Sequence, residues 1–228
     1  MRRLTVLLAA CVPLVAAAQQ GPGRISDDDL RAWLGTLELE ARLDVDLNGD
    51  GRLDLAYIAA DRNQRVLGIL DGNEYGAAFG ARLLGEAALV PSPTSASSLA
   101  VESDELVVSQ IAGEDAVTAT TWHYRHDPAS GGMRLVELNG ERYGAVVDAT
   151  STRVQWDLET GEYLVERGES VTLDTGGNVF VYGPPQRSVR PSAPLRMEQA
   201  PDPVALLDGE AMGGMMTLHA RGNPRPVP

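Results

Sequence analysis

The sequence predicts a mainly β protein: an antiparallel sheet, sandwich or partial barrel, with a short N-terminal helix and a Pro-rich C-terminal region. Three observations carry this prediction. From Leu53 onward, short apolar runs recur at close intervals, several in alternation with polar residues. Turn formers such as Asp71-Gly72-Asn73, Ser130-Gly131-Gly132 and Thr160-Gly161 separate them. The segment VTATTWHYRHDPASGGMRLVELNGERY reads as a hairpin whose two runs are joined by DPASGG, which implies antiparallel neighbours. The chain divides into a leader (1–18), a β domain (24–182) containing the loop 46–54, and a Pro-rich, partly disordered region (183–228).

The leader sets the expected compartment. Arg2 and Arg3 precede an apolar stretch from Leu4 to Val15, and Ala16-Ala17-Ala18 ends it with small residues, which is the pattern of a secretory signal cut after Ala18. The stretch is shorter than the roughly twenty residues a membrane span needs, and no later segment approaches that length, so no transmembrane segment is expected. The mature chain is expected in the periplasm or medium. Leu8-Ala9-Ala10-Cys11 also reads as a lipobox, so the alternative is a lipoprotein anchored through Cys11. Cys11 is the only cysteine. A chain cut after Ala18 therefore has no disulfide, thiol nucleophile or cysteine-zinc site.

Charge excludes further classes. The 228 residues carry a formal charge of −13, and loss of Arg2 and Arg3 with the leader deepens it by two. Lysine is absent, so all 19 basic residues are arginine. Such an acidic body repels nucleic acid and anionic lipid, and no basic patch with interleaved aromatics offsets this. The 210 residues left after residue 18 suffice for one sizeable core.

Ile25 to Leu37 reads as the helix. Ser26 can cap it, Asp27, Asp28 and Asp29 suit the positive end of its dipole, and Leu30, Trp33, Leu34 and Leu37 form an apolar stripe.

The loop that follows is the most informative part of the chain. In DVDLNGDGRLD, Asp46, Asn48, Asp50 and Asp54 stand at positions 1, 3, 5 and 9, with Gly51 at position 6. Ca2+ takes six to eight oxygens at about 2.3–2.6 Å, and alternate side chains of a curled segment can surround it, with the glycine allowing positive φ. Arg52 at position 7 would contribute its backbone carbonyl, leaving its side chain to face water. An EF-hand is excluded, because position 12 is Tyr57 rather than Glu and because LDLAYIAA alternates as a strand. Starting the frame at Asp44 puts Arg52 at position 9 and Leu55 at position 12, which fails as well. Asp, Asn and Gly also form ordinary turns, but a bare turn has no need of four oxygen-bearing side chains at odd positions plus the glycine.

A DxNxDGxxD loop running into a strand resembles the calcium motif of FG-GAP and VCBS repeats, found in integrin-type propellers and many secreted bacterial proteins. The resemblance covers about thirty residues, Leu39 to Asp71. It implies Asp46, Asn48, Asp50 and Asp54 as side-chain ligands of a structural Ca2+. A complete propeller is not implied: it needs at least four blades, and DGNEYG from Asp71 and DTGGN from Asp174 lack the carboxylate spacing of a second copy.

The remaining strands are expected at Leu53–Ala60, Val66–Asp71, Leu99–Glu102, Leu106–Ile111, Val117–His126, Arg134–Arg142, Thr152–Asp157 and Tyr163–Arg167, with PSPTSASS (Pro91–Ser98) as a loop. Past Asp174 the pattern fades, and six prolines between Gly183 and Pro203 disfavour long ladders. Val204 to Leu218 regains apolar character as a short strand or helix docking on the body, and the tail RGNPRPVP is expected to be disordered.

No catalytic residues are assigned. The sequence has no G-x-S-x-G elbow, P-loop or dinucleotide fingerprint. His123 and His126 are three apart on a strand and so face opposite ways, while Trp122, Tyr124 and Trp156 are expected in the core. Two functions remain. The first is an exported non-enzymatic β-domain protein with a structural calcium loop, an interaction module for an envelope protein or polysaccharide. The alternative is a carboxylate-based hydrolase of envelope or extracellular polymer.

Overall fold

The computed structural model describes residues 24–72, 81–91, 95–144, 149–190 and 194–220, without the side chains of 212–220. The expected leader (1–18) with Cys11, most of DGNEYG, Ser92 to Thr94 and the tail RGNPRPVP lie outside the described residues.

Ser26 accepts the backbone N–H of Asp29 at 3.1 Å and starts α1 (Asp27–Leu34), which ends at Gly35 with φ +63°. Its acidic first turn is also tied down by charge, since Arg42 reaches Asp27 at 2.7 Å. Four antiparallel strands follow in sequential order as the first sheet: β1 (Glu38–Val45), β2 (Asp54–Ala60), β3 (Arg65–Leu70) and β4 (Leu83–Leu89). The second sheet meanders through β5 (Ala96–Glu102), β6 (Glu105–Ala112), β7 (Ala116–Asp127), β8 (Gly132–Gly144), β9 (Thr150–Asp157) and β10 (Glu162–Thr172). Its far edge is shared by β11 (Asn178–Tyr182), on the second half of β10, and β12 (Gln186–Val189), on the first half. The short β13 (Leu195–Arg196) pairs with β8, a 3-10 turn spans Met197–Gln199, and α2 runs over Pro203–Ala220.

The expected antiparallel β architecture is thus the observed one, as a sandwich in which neither sheet closes into a barrel. β2 is buried on both faces. Leu55, Tyr57 and Ala59 meet Leu30 and Leu34 of α1, whereas Ala56 and Ile58 face Trp122, Tyr124 and Leu138 of the second sheet. Leu67, Ile69, Leu84 and Met197 complete that central core. α2 covers the rest of the same face of the second sheet, with Leu207 against Val154, Tyr163 and Val165. Trp122 and Tyr124 are core residues, as expected, and Trp156 is partly buried against both clusters. Among the described residues no helix is long and apolar enough to cross a membrane.

The predicted hairpin is β7–β8, with Asp127 opposite Gly132 and Gly131 at φ +66°. Its ladder carries a bulge: His123 pairs with Glu137 and Tyr124 with Leu135, which leaves Val136 extra. The expected loop Pro91–Ser98 is shorter than read, because Ala96, Ser97 and Ser98 pair with Ile111, Gln110 and Ser109.

The β9–β10 turn is stapled by Asp157, whose carboxylate accepts the N–H groups of Glu159 (2.8 Å) and Thr160 (2.9 Å). The Thr160 bond is the main cause holding this carboxyl below its usual 3.8. A carboxyl lowered in the folded state adds stability above its unfolded value and loses it as pH falls through the lower folded value. Urea unfolding of Asp157→Asn should therefore show a flatter loss of stability below about pH 4 than the parent chain; parallel curves would refute the assignment.

Candidate metal site

β1 ends at Val45 and β2 begins at Asp54, so the connection consists of residues 46–53. The strands are paired to their ends, Val45 opposite Asp54, and this fixes both ends of the loop. Gly49 and Gly51 take φ of +78° and +84°, the left-handed values that curl the segment. Leu47 is the apolar anchor and packs into the central core.

The curl folds polar side chains onto the loop's own backbone. Asp46 accepts Gly49 N–H at 2.7 Å through Oδ1 and Gly51 N–H at 2.9 Å through Oδ2. Asn48 Oδ1 accepts Asp50 N–H at 2.9 Å, and Asp50 Oδ1 accepts Arg52 N–H at 2.9 Å. The Arg52 side chain is exposed, as the sequence suggested, and it is also paired. Its Nε and Nη2 grip Asp50 Oδ2 at 3.1 and 2.8 Å, and this contact is the first cause lowering the Asp50 carboxyl from its usual value.

Asp54 differs from the other three. It has no solvent exposure. Its Oδ2 accepts Leu47 N–H (2.9 Å) and Asn48 N–H (3.2 Å), and its Oδ1 accepts Gly72 N–H (2.9 Å) and the Asn48 amide (3.4 Å). A carboxylate offers about four lone-pair positions, and all are engaged. Burial pushes this carboxyl up, the N–H bonds act against that, and the charge of Asp71 adds to the rise.

Two residues that sequence reasoning passed over complete the arrangement. Gly72, read only as a turn former, approaches so closely that a Cβ there would lie 2.2 Å from Leu53 O. Only glycine lets its N–H reach Asp54. Asp71 accepts the Asn48 amide at 3.3 Å and pairs with Arg82 at 3.3 Å. The loop is thus joined to the β3 exit as well as to its own strands. Asp44 faces away, paired with Arg42 (2.7 Å) and Arg24 (3.2 Å).

The donor set of Asp46, Asn48 and Asp50 is all hard oxygen and keeps lone pairs beyond the N–H bonds, which fits a cation of the Ca2+ class. Ligation by Asp54 would replace one of its present contacts. Among the described residues no three His, Cys, Asp or Glu side chains form a metal-ligating group, so candidacy rests on the mixed set. His123 lies on the outer face of the second sheet, 3.0 Å from Glu105, while His126 pairs opposite Met133 on the inner face, so the two do not converge. His219 lies among the undescribed side chains.

A cavity of about 670 Å³ lies at the opposite end of β1–β3, lined in part by Glu38, Asp61 and Arg62. Its charged wall is structural. Arg65 grips Glu40 through two bonds of 2.7 and 2.8 Å and reaches Val90 O at 3.2 Å. Buried Gln110 holds both the N–H and the carbonyl of Val90. No protein-family model, curated protein or solved structure matches this chain.

Proposed function

We propose that the chain is an exported, non-enzymatic β-domain protein whose loop 46–54 binds a structural Ca2+ and which serves as an envelope interaction module. The observation that carries the metal reading is the curled connection itself: Gly49 and Gly51 at positive φ, with Asp46, Asn48 and Asp50 at alternate positions between the ends of two paired strands. Asp46, Asn48, Asp50 and Asp54, with the carbonyl of Arg52, are the ligands. Ca2+ supplies positive charge where Asp46 and Asp50 lie close together, and rivets the β1–β2 turn to the β3 exit.

The interaction reading is supported by the outer face of the second sheet, where alternating acids and arginines are paired. Arg125 joins Glu105 (2.5 Å) and Glu159 (2.9 Å), Arg134 joins Glu159 (2.7 Å), and Arg153 joins Glu141 (3.1 Å). A strand face of mutually held charges presents a polar surface, which suits a protein or polysaccharide partner. The leader sequence supports export.

Titration calorimetry of the mature chain with Ca2+ tests the metal. One ion per chain is expected, lost in Asp46→Ala, with Mg2+ a poor substitute because it demands a smaller octahedron. No heat at millimolar Ca2+ would reject the site. Arg52→Gln should tighten binding, since it keeps the backbone carbonyl and removes the cation now held by Asp50. An exposed pair contributes about 0.2–1 kcal/mol, so the gain should be up to about fivefold. Weaker binding in Arg52→Gln would mean that the guanidinium supports the loop rather than competing with the ion.

A further inference from the structure

An open sheet edge is a template for another strand, and folded proteins blunt such edges with charge, proline or cover. Most edges of this sandwich are blunted. β1 carries Glu38, Glu40, Arg42 and Asp44 along its length and lies against β5, the edge of the other sheet. β4 is covered by the turn at Met197. β12 follows Pro184-Pro185 and carries Arg187. β11 has none of these devices: among the described residues it ends the strand order of the second sheet and pairs with β10 alone. Its sequence, NVFVY, holds no charge.

The hydrogen-bond parity of this edge is fixed. Gly183 N–H donates to Arg167 O at 3.0 Å, and Ser170 N–H turns the other way, to Ala149 O at 3.0 Å. By alternation the N–H and C=O groups of Val179 and Val181 point at β10, and those of Asn178, Phe180 and Tyr182 point out from the edge. Side chains alternate in the same way. Val179 and Val181 are 41% and 57% exposed and share a face with Val171. Phe180 and Tyr182 stand on the other face, where Phe180 packs on Tyr143 at 5.6 Å and Tyr182 bonds to Glu141 and Ser151. Those contacts hold the strand extended and in place.

We propose that β11 pairs antiparallel with β11 of a second copy, centred on Phe180, and so joins two second sheets into one. In that register outward groups meet outward groups. Asn178 faces Tyr182 of the second copy and Phe180 faces its counterpart, each pair exchanging two N–H···O=C bonds. Val179 stands opposite Val181 of the second copy, at the closer spacing of non-hydrogen-bonded pairs, where β-branched side chains pack well. The contact is two-fold symmetric, the same patch on both copies. Charge supports this partner: a basic peptide would find no acid along β11 to hold it, whereas the strand complements itself. Two chains of formal charge −13 can meet there without opposing like charges. The pairing is also bounded, because Pro184 has no N–H to donate and the second copy turns away opposite it at Gly176, whose φ is +85°.

Sedimentation equilibrium tests the dimer. An edge of 5 residues makes a small interface, so the dimer should prevail by about 100 µM rather than at nanomolar concentration. Val179→Asp/Val181→Asp places carboxylates opposite one another and should abolish it, as should Val179→Lys/Val181→Lys. An equal mixture of the two variants should dimerise at least about tenfold more tightly than either alone. Both side chains are exposed, so the core is untouched. Register is read in a Cys11→Ser background: chains with Val179→Cys and chains with Val181→Cys should cross-link when mixed, at least about fivefold more than either alone. A parent chain that stays monomeric overturns the proposal. So does an aspartate variant that still dimerises, a mixture that does not recover, or cross-linking without preference for the mixed pair.

Discussion

Replacing Asp54 by alanine should cost about 3–5 kcal/mol of folding stability, with or without calcium. Among the described residues its carboxylate is the acceptor for three backbone N–H groups, those of Leu47, Asn48 and Gly72. Burial makes its charge unfavourable by itself. Removing it relieves that penalty but leaves three donors without partners where water has little access, and the second effect is the larger. Asp54→Asn should lose roughly half as much, because its remaining carbonyl oxygen still accepts while its amide opposes the N–H groups on the other side. Urea denaturation measures both. A loss below about 1 kcal/mol in Asp54→Ala would show that the loop relaxes and rehydrates, and that Asp54 does not hold the two connections together.

Calcium should raise the melting temperature of the mature chain. An ion bound only by the folded state adds about 2.7 kcal/mol when its concentration is a hundredfold above Kd. For a chain of this size that is about 5–10 °C, and a sizeable part of a total of roughly 5–15 kcal/mol. Chelator should reverse it, and Asp46→Ala should abolish the difference while leaving the Asp54 contacts in place. The sign follows from charge. Asp44 is neutralised by Arg24 and Arg42, and Asp50 by Arg52, while Asp54 is buried among N–H groups, so Asp46 is the exposed loop carboxylate held only by N–H groups. A melting temperature indifferent to calcium, in a chain that calorimetry shows to bind it, would reject the rivet.

How much of the molecule could be read in advance varied with the element. β7 and β8 were legible because both faces of their sheet differ, polar outside and apolar inside, so alternation is strong. β1 carries the same signal, with Leu39, Ala41, Leu43 and Val45 alternating with charges, and lies outside the strands expected from the sequence. β4 (LLGEAAL) has no alternation to read: Gly85 is small because Met197 lies over it, 2.7 Å from where a Cβ would be. β12 is exposed at all four residues and exists only because β10 offers it an edge. α2 is anchored by Glu210, Asp208 and two leucines, contacts that depend on strands far away in the chain.

The candidate site divides the same way. The spacing of Asp46, Asn48, Asp50 and Gly51 is a local pattern, so the sequence alone determined a tight, oxygen-rich turn entering a strand. Alternation and turn chemistry likewise determined an antiparallel β body with a capped N-terminal helix. Only the tertiary structure decided that Asp54 is a buried clamp whose partner is Gly72, because that contact requires β2 and β3 to be paired and the chain to turn back at Asp71. It also decided that Asp44 and Arg52 are paired side chains, which hydrogen-bond geometry sets and spacing does not. Burial and long-range pairing are properties of packed surfaces, and a linear pattern contains only the half of them that each segment brings.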